Sequence, residues 1–372
     1  FPILLVARLI QALAVGVTVP LIQTIMLTIF PPEKRGTAMG YTGIVVGLAP
    51  AIGPTLSGFI IDTMTWRDLF RLIAPIVLLV IVLGWFFIHP VLANNDDKLD
   101  LRSLILSTFG FGLLLYGFSV VGSYGWSSPL VIGSLFVGTV IVAMMFYRQL
   151  KINHPFLEVR VFKHRPFIIG TTLSSIVRMA MVGVEMIIPI YLQNVHQLSA
   201  FESGLVLLPG AAMFGLLSPL TGRIFDKYGA KYLTMIGMTL LTIGTLLLVG
   251  VNQSFSIIWI ALIYLVRMVG ISMVMMPAST AGMNSLPLSL FADGSAVNNT
   301  IRQVAAAIGT ALMTSVLDDV TRQSERHLTT SAGKLTAVLN GYHAAFLLAA
   351  GFAFIGIIIA SFFKRKQERS NL

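Results

Sequence analysis

Eleven long apolar stretches constrain this chain more than anything else in it. They lie near residues 2–30, 36–61, 69–89, 103–122, 129–147, 167–192, 203–221, 232–250, 257–282, 297–317 and 341–363. A bilayer core is crossed by about 20 apolar residues of helix. The stretches are continuous in Leu, Ile, Gly and Met, not alternating as the strands of a membrane barrel do. Hydrophobic residues make up 56% of the chain and charged residues 11%, roughly half the charge of a soluble domain. The expected fold is therefore all-α and integral to the membrane, with eleven transmembrane helices. The absence of cysteine excludes disulfide and thiol chemistry.

Charge sets the expected topology. The formal net charge of +10 sits largely in short loops, where positive-inside bias explains it better than nucleic-acid binding. With the tail Lys364, Arg365, Lys366 and Arg369 in the cytoplasm, the loops carrying Lys34/Arg35, Lys98/Arg102, Arg148 to Arg165, and Arg223/Lys227/Lys231 fall on that side. The alternate loops near 123–127, 194–201 and 251–256 carry no Lys or Arg. Arg67, Arg71 and the 318–340 loop are exceptions. This reading puts the N-terminus outside and the C-terminus inside.

An internal repeat relates Leu5–Thr55 to Tyr264–Ala311. Each copy holds an arginine inside an apolar span (Arg8, Arg267), then a proline (Pro20, Pro277). Each opens its next helix with a glycine (Gly36, Gly294), followed by an Ala-Ile-Gly triplet ending at Gly53 or Gly309. Duplicated helical halves are a signature of secondary transporters, with the binding site between them. The repeat divides the chain into 1–95, the second half of an N-terminal bundle (three spans); 96–165, two linker spans and a basic cytoplasmic loop; and 166–372, a C-terminal six-helix bundle. Three helices are then expected ahead of Phe1.

Four motifs carry a resemblance to a known family. Arg8, Gln11, Ala12 and Gly16 stand as in an R-x-x-Q-G pattern, with Ala12 in place of glycine. Gly47, Pro50, Gly53, Pro54, Ser57 and Gly58 follow an antiporter motif, with Ser57 at a common glycine position. Trp66, Arg67 and Phe70 form W-R-x-x-F. Gly222, Arg223, Asp226, Lys227, Gly229 and Lys231 follow the loop G-x-x-x-D-[RK]-x-G-[RK]-[RK], with Ala230 departing at one basic position. On these the chain resembles the major facilitator superfamily, in its fourteen-helix drug:proton antiporter branch. It looks closest to the lincomycin and quaternary-ammonium efflux pumps, from the fourth helix to the fourteenth, without the first three. The resemblance implies a facilitator-like bundle, proton coupling at Arg8, a sealing role for the Gly47–Gly58 helix and gating at the 222–231 loop.

The residues support site readings of their own, each with a plainer alternative. A charge inside a span is costly and needs a partner or a wet cavity, so Arg8 and Arg267 are candidates for tuning a proton carrier or, alternatively, structural pairs. Glu185 shares a helix face with Arg178, seven residues away. It is the candidate proton or cation site; an Arg178–Glu185 ion pair is the alternative. Small residues spaced by four (Gly36/Gly40, Gly43/Gly47/Ala51, Gly53/Ser57) allow close helix contact. Asp226 could face a helix N-terminus, with Arg223, Lys227 and Lys231 pairing acids elsewhere. Gln11, Arg178, Met186 and Met273 are candidate substrate contacts, since flexible Met walls suit promiscuous pockets, although packing explains methionines equally. Trp66, Trp85, Trp126 and Trp259 read as interfacial anchors.

No phosphate-binding loop, metal-ligand cluster or hydrolase triad is legible, so no enzyme, catalytic residue, metal or cofactor is expected. The expectation is a multi-pass cell-membrane protein whose partners are a small amphipathic or drug molecule, protons and lipid, with no nucleic acid. It would be a secondary transporter exporting amphipathic, often cationic drugs against protons. The competing readings are export of a physiological metabolite or siderophore, and a membrane sensor that kept the fold without transport.

Overall fold

In hydrocarbon every backbone donor must be satisfied within its own segment, so a chain of apolar stretches becomes a chain of helices. The computed structural model describes residues 2–87, 100–152, 155, 157–325 and 331–364. Its helices are α1 (Pro2–Ile29), α2 (Arg35–Thr63), α3 (Trp66–Phe87), α4 (Leu101–Tyr124), α5 (Pro129–Lys151), α6 (Arg165–His196), α7 (Ala200–Tyr228), α8 (Ala230–Leu247), α9 (Ile257–Ser272), α10 (Met275–Met283), α11 (Phe291–Glu325) and α12 (Ser331–Ser361). Among the described residues, 10 helical stretches are long and apolar enough to cross a membrane, α9 and α10 counting as one. The remaining expected span coincides with α2, a continuous helix of 29 residues. Lys98, Arg326, Arg365, Lys366 and Arg369 lie outside the described residues, as do the side chains of Pro50, Ala51 and Pro54.

Local chemistry sets the helix ends. Asp100 accepts from the amides of Arg102 and Ser103 and so starts α4, and Ser199 with Glu202 forms a reciprocal capping box at the start of α7. Gly125 and Gly229 end α4 and α7 at φ values of 75° and 80°, a region that costs a residue with a Cβ. The repeated prolines act differently. Pro20 is absorbed inside continuous α1. Pro277 has no N–H for the carbonyl one turn earlier, and there the span breaks between Ser272 and Met275.

The main core lies among α6, α7, α8, α9 and α12, around Val177, Tyr191, Leu241, Tyr264 and Phe346. Helices α4 and α5 pair as a hairpin and lean on α11. On α3 no described residue is buried, and apolar residues such as Leu13 and Val17 on α1 are exposed, as a hydrocarbon solvent permits. One end of the bundle gathers Pro32, Arg165, Asp226 and Lys364 around a cavity of about 890 Å³. This is the basic end.

Candidate transport cavity and gating seam

Helices α2 and α7 run antiparallel, and their contact extends from Gly36 beside Gly222 to Gly58 beside Ala200. Backbones meet because the small residues allow it. A Cβ on Gly40 would lie 2.7 Å from the Pro219 Cα, one on Gly47 2.7 Å from the Gly215 nitrogen, and one on Gly58 2.8 Å from the Phe201 nitrogen. Gly222 abuts the carbonyl of Gly36 from the other side. Gly53 is different: nothing lies within 4 Å of its Cβ position. The expected four-residue spacing therefore holds for Gly36, Gly40, Gly43 and Gly47, but Gly53 takes no part in this seam.

Antiparallel packing sets the C-terminal carboxylate of each helix against the N-terminus of the other, where the helix dipole favours an anion. Asp226 uses this fully. It accepts from the amides of Gly36 and Thr37, each at 2.8 Å, and from the Thr37 hydroxyl at 2.6 Å. Asp62, at the opposite end, accepts from the Phe201 amide at 3.4 Å. The basic residues of the motif behave otherwise than expected. Arg223, Lys227 and Lys231 form no ion pair among the described residues, and Lys227 lies over the Tyr228 ring at 5.1 Å. The carboxylate and the backbone amides hold the joint.

A buried polar network lies on the same side of the bundle as Asp226. Ser279 on α10 receives hydrogen bonds from Gln23 on α1 (2.9 Å) and Asn298 on α11 (2.7 Å). Asn298 in turn accepts from Ser174 on α6 at 3.2 Å. Arg35 donates to Asn284 at 3.1 Å and covers the Phe291 ring at 4.8 Å. Sequence reading missed Gln23, Ser279 and Asn298. Their signal was polarity inside an apolar span, because groups buried there must find partners.

Beyond this network a cavity of about 1140 Å³ is lined by Arg8 and Gln11 from α1, Phe118 from α4, Met186 from α6, and Gln303 and Thr310 from α11. Arg8 donates to Gln11 at 3.1 Å and lies 5.3 Å from the Phe70 ring centre. Three expected residues, Arg8, Gln11 and Met186, are thus brought together at one cavity. Met273 is not among its lining residues: its Cβ lies against α8 at Gly237, and the side chain packs on the main core. Trp126 is more than an interfacial anchor, since its indole donates to Ser315 on α11 at 2.7 Å.

Behind the cavity wall lie the embedded charges. Arg267 is fully buried, donating from Nε to Thr245 at 2.9 Å and from Nη2 to the Ala180 carbonyl at 3.2 Å. One Glu185 oxygen is buried without a hydrogen-bond partner. Arg178 and Arg267 both act on Glu185 through charge, yet neither closes to the 4.0 Å of an ion pair. The Arg178–Glu185 pair weighed from the sequence is therefore not formed here.

Residues 1–310 match the sequence profile of the Major Facilitator Superfamily. The chain belongs to the major facilitator superfamily. It is 45% identical over 368 residues to the MFS-type transporter YcnB of Bacillus subtilis, covering 99% of this chain and 77% of that protein. To the lincomycin resistance protein LmrB of the same organism it is 41% identical, over 98% and 77%. The riboflavin transporter RibZ of Clostridioides difficile is 26% identical, over 99% of this chain and 78% of that protein. The chain is thus a multi-pass membrane transporter of this superfamily, handling small molecules, and not an enzyme.

Proposed function

We propose that this chain exports amphipathic, often cationic drugs across the cell membrane in exchange for protons, by alternating access. In this reading residues 1–95 and 166–372 belong to two opposed bundles and 96–165 to a linker hairpin. The carrying observation is the contrast along the molecule. One end is joined by Asp226 and the Gln23–Ser279–Asn298 network, while a cavity of about 1140 Å³ lies beyond it. Positive-inside bias makes the basic end cytoplasmic, so the C-terminus is cytoplasmic and the arrangement is the outward-facing state.

The residues divide the work as follows. Gln11 and Met186 contact substrate in the cavity, and Arg8 on its wall tunes proton coupling. Glu185 is the exchangeable carboxylate, and Arg178 and Arg267 bias whether it holds a proton or releases it. The Gly47–Gly58 segment of α2, with Pro50 and Pro54, keeps the cytoplasmic path shut while the outer path is open. Asp226 and the 222–231 loop fasten that closure and let go in the inward-facing state.

The test is ethidium efflux from sealed vesicles under an imposed pH gradient. Wild-type protein moves dye and releases protons when dye is added. Glu185→Gln is expected to lose both, with ethidium still bound. Dye-coupled proton release equal to wild type in that variant removes Glu185 from the mechanism, and absence of gradient-driven movement in the wild type removes the antiporter reading. The similarity to a protein named a riboflavin transporter supports a second reading, export of a physiological metabolite. Under it, ethidium would neither move nor compete.

A further inference from the structure

Among the described residues that line the cavity of about 1140 Å³, Asp318 is the one acid and Arg8 the one base. Glu185 is not at that surface, although its neighbour Met186 is. Read from sequence, Asp318 fell in the loop after the tenth span; α11 instead runs through it to Glu325. The adjacent acids Asp318 and Asp319 differ. Asp319 is exposed and accepts from the Ser315 hydroxyl at 3.5 Å. Asp318 is half-buried on the cavity wall, and it accepts no hydrogen bond and forms no ion pair among the described residues. Arg322, one turn further on, acts on it through charge but is exposed, where salt screens the attraction.

Height along the bundle separates Asp318 from Arg8. Pro32, just after α1, and Asn284, just before α11, both border the cavity at the basic end, so the two helices run antiparallel. The Ser295 hydroxyl donates to the Pro20 carbonyl at 3.1 Å and fixes their register. Equal steps from that level reach Arg8 on α1 and Ala307 on α11. Asp318 lies about 16 Å further along α11. This is the mouth away from the basic end, where Trp126 of the α4–α5 turn bonds to Ser315. Helix α4 follows α11 there: a Cβ on Gly122 would lie 3.8 Å from the Thr314 hydroxyl, and Phe118, one turn earlier, also lines the cavity. A cation beside Asp318 is thus far from Arg8, whose repulsion falls with distance, while an aromatic body can lie against Phe118.

We propose that Asp318 binds the cationic group of the transported amphipath at this mouth, as a substrate contact separate from the proton site at Glu185. A carboxylate with open acceptor positions makes charge-assisted hydrogen bonds to an ammonium or aromatic amine. Resting on the transporter reading above, this names the residue that sets the preference for positive charge.

The test is ethidium binding to the purified protein in an uncharged detergent, read as fluorescence anisotropy. Asp318→Asn is expected to weaken binding at least fivefold, Asp318→Glu to keep part of the affinity, and Asp319→Asn to stay within twofold of wild type. A second measurement needs no variant. Ethidium is expected to shield Asp318 of the wild type from a water-soluble carbodiimide, read by peptide mass spectrometry, and to leave Asp319 open to it. A loss below fivefold in Asp318→Asn, an equal loss in Asp319→Asn, labelling of Asp318 unaffected by ethidium, or no ethidium binding to the wild type overturns the assignment. Binding is measured without a gradient. A wild type that binds ethidium through Asp318 but moves none in vesicles therefore sinks the antiporter reading and not this site.

Discussion

The two ends of the α2–α7 seam use the same device to different extents. At the basic end the Asp226 carboxylate takes three hydrogen bonds of 2.6–2.8 Å from the start of α2. At the far end Asp62 takes one, at 3.4 Å, from the start of α7, and aromatic packing of Phe59 on Phe201 at 5.8 Å does the rest. Glycine brings the backbones together at both ends, so packing alone does not distinguish them. The difference lies in how many donors each carboxylate satisfies, and a joint held by one long bond opens more easily than one held by three short ones. A seam built this way is biased to part first at the Asp62 end.

Four experiments break or sharpen that contrast. The largest effect is expected from Gly222→Leu, because the new side chain must displace the Gly36 carbonyl, which is backbone and cannot step aside. Ethidium efflux should fall more than tenfold with the protein still inserted. Gly53→Leu, which meets nothing within 4 Å, should stay within twofold of wild type. Next comes Asp226→Ala. Losing charge-assisted bonds to two amides and a hydroxyl should cost the closed basic end about 2 kcal/mol. The chain has no cysteine, so a single cysteine placed at Asn284 reports this as faster alkylation. Asp62→Ala should cost the far end under about 1 kcal/mol, with little change in labelling at Asn284. Equal effects of the two aspartates would erase the distinction.

The smallest effect belongs to a carboxylate outside the seam. Asp100 accepts from the Ser103 hydroxyl at 2.6 Å and from Arg148 at 3.0 Å. The Ser103 hydrogen bond first, then Arg148, holds its carboxyl below the usual carboxylate range. Stability from this group is present above the unfolded value of about 4 and lost as pH falls through the lower folded value. Thermal melting of Arg148→Gln should therefore differ slightly from wild type at pH 7, and the gap should close in strong acid.

Much of the fold was legible because lipid leaves few choices. Long apolar runs had to be helices, and ten of the eleven expected spans were found at nearly their sequence positions among the described residues, the remaining one coinciding with the helix α2. The glycines at 36, 40, 43 and 47 were legible for the same reason, since small residues one turn apart mark a close contact. Gly53 was misread because it stands six residues after Gly47, and six steps of about 100° carry it well off the contact face to which Gly58 returns. The partner of Asp226 was half legible: its affinity for a helix N-terminus follows from charge, but that the helix would be α2 depends on tertiary packing. Asn298 went unread although it stands in an apolar span. One polar residue there announces a partner without naming it, and only the packing of α11 against α6 and α10 names Ser174 and Ser279. The unequal fates of Pro20 and Pro277 likewise follow from surroundings that a repeat in sequence does not specify.

The bond from Trp126 to Ser315 has a practical consequence. Its indole sits in the turn between α4 and α5 and reaches α11, which also forms a wall of the cavity. Indole emission shifts colour when its N–H trades a protein acceptor for water, so any slide of α11 past that turn would be written in the protein's own ultraviolet fluorescence. The molecule carries an optical gauge of its movement without any attached dye.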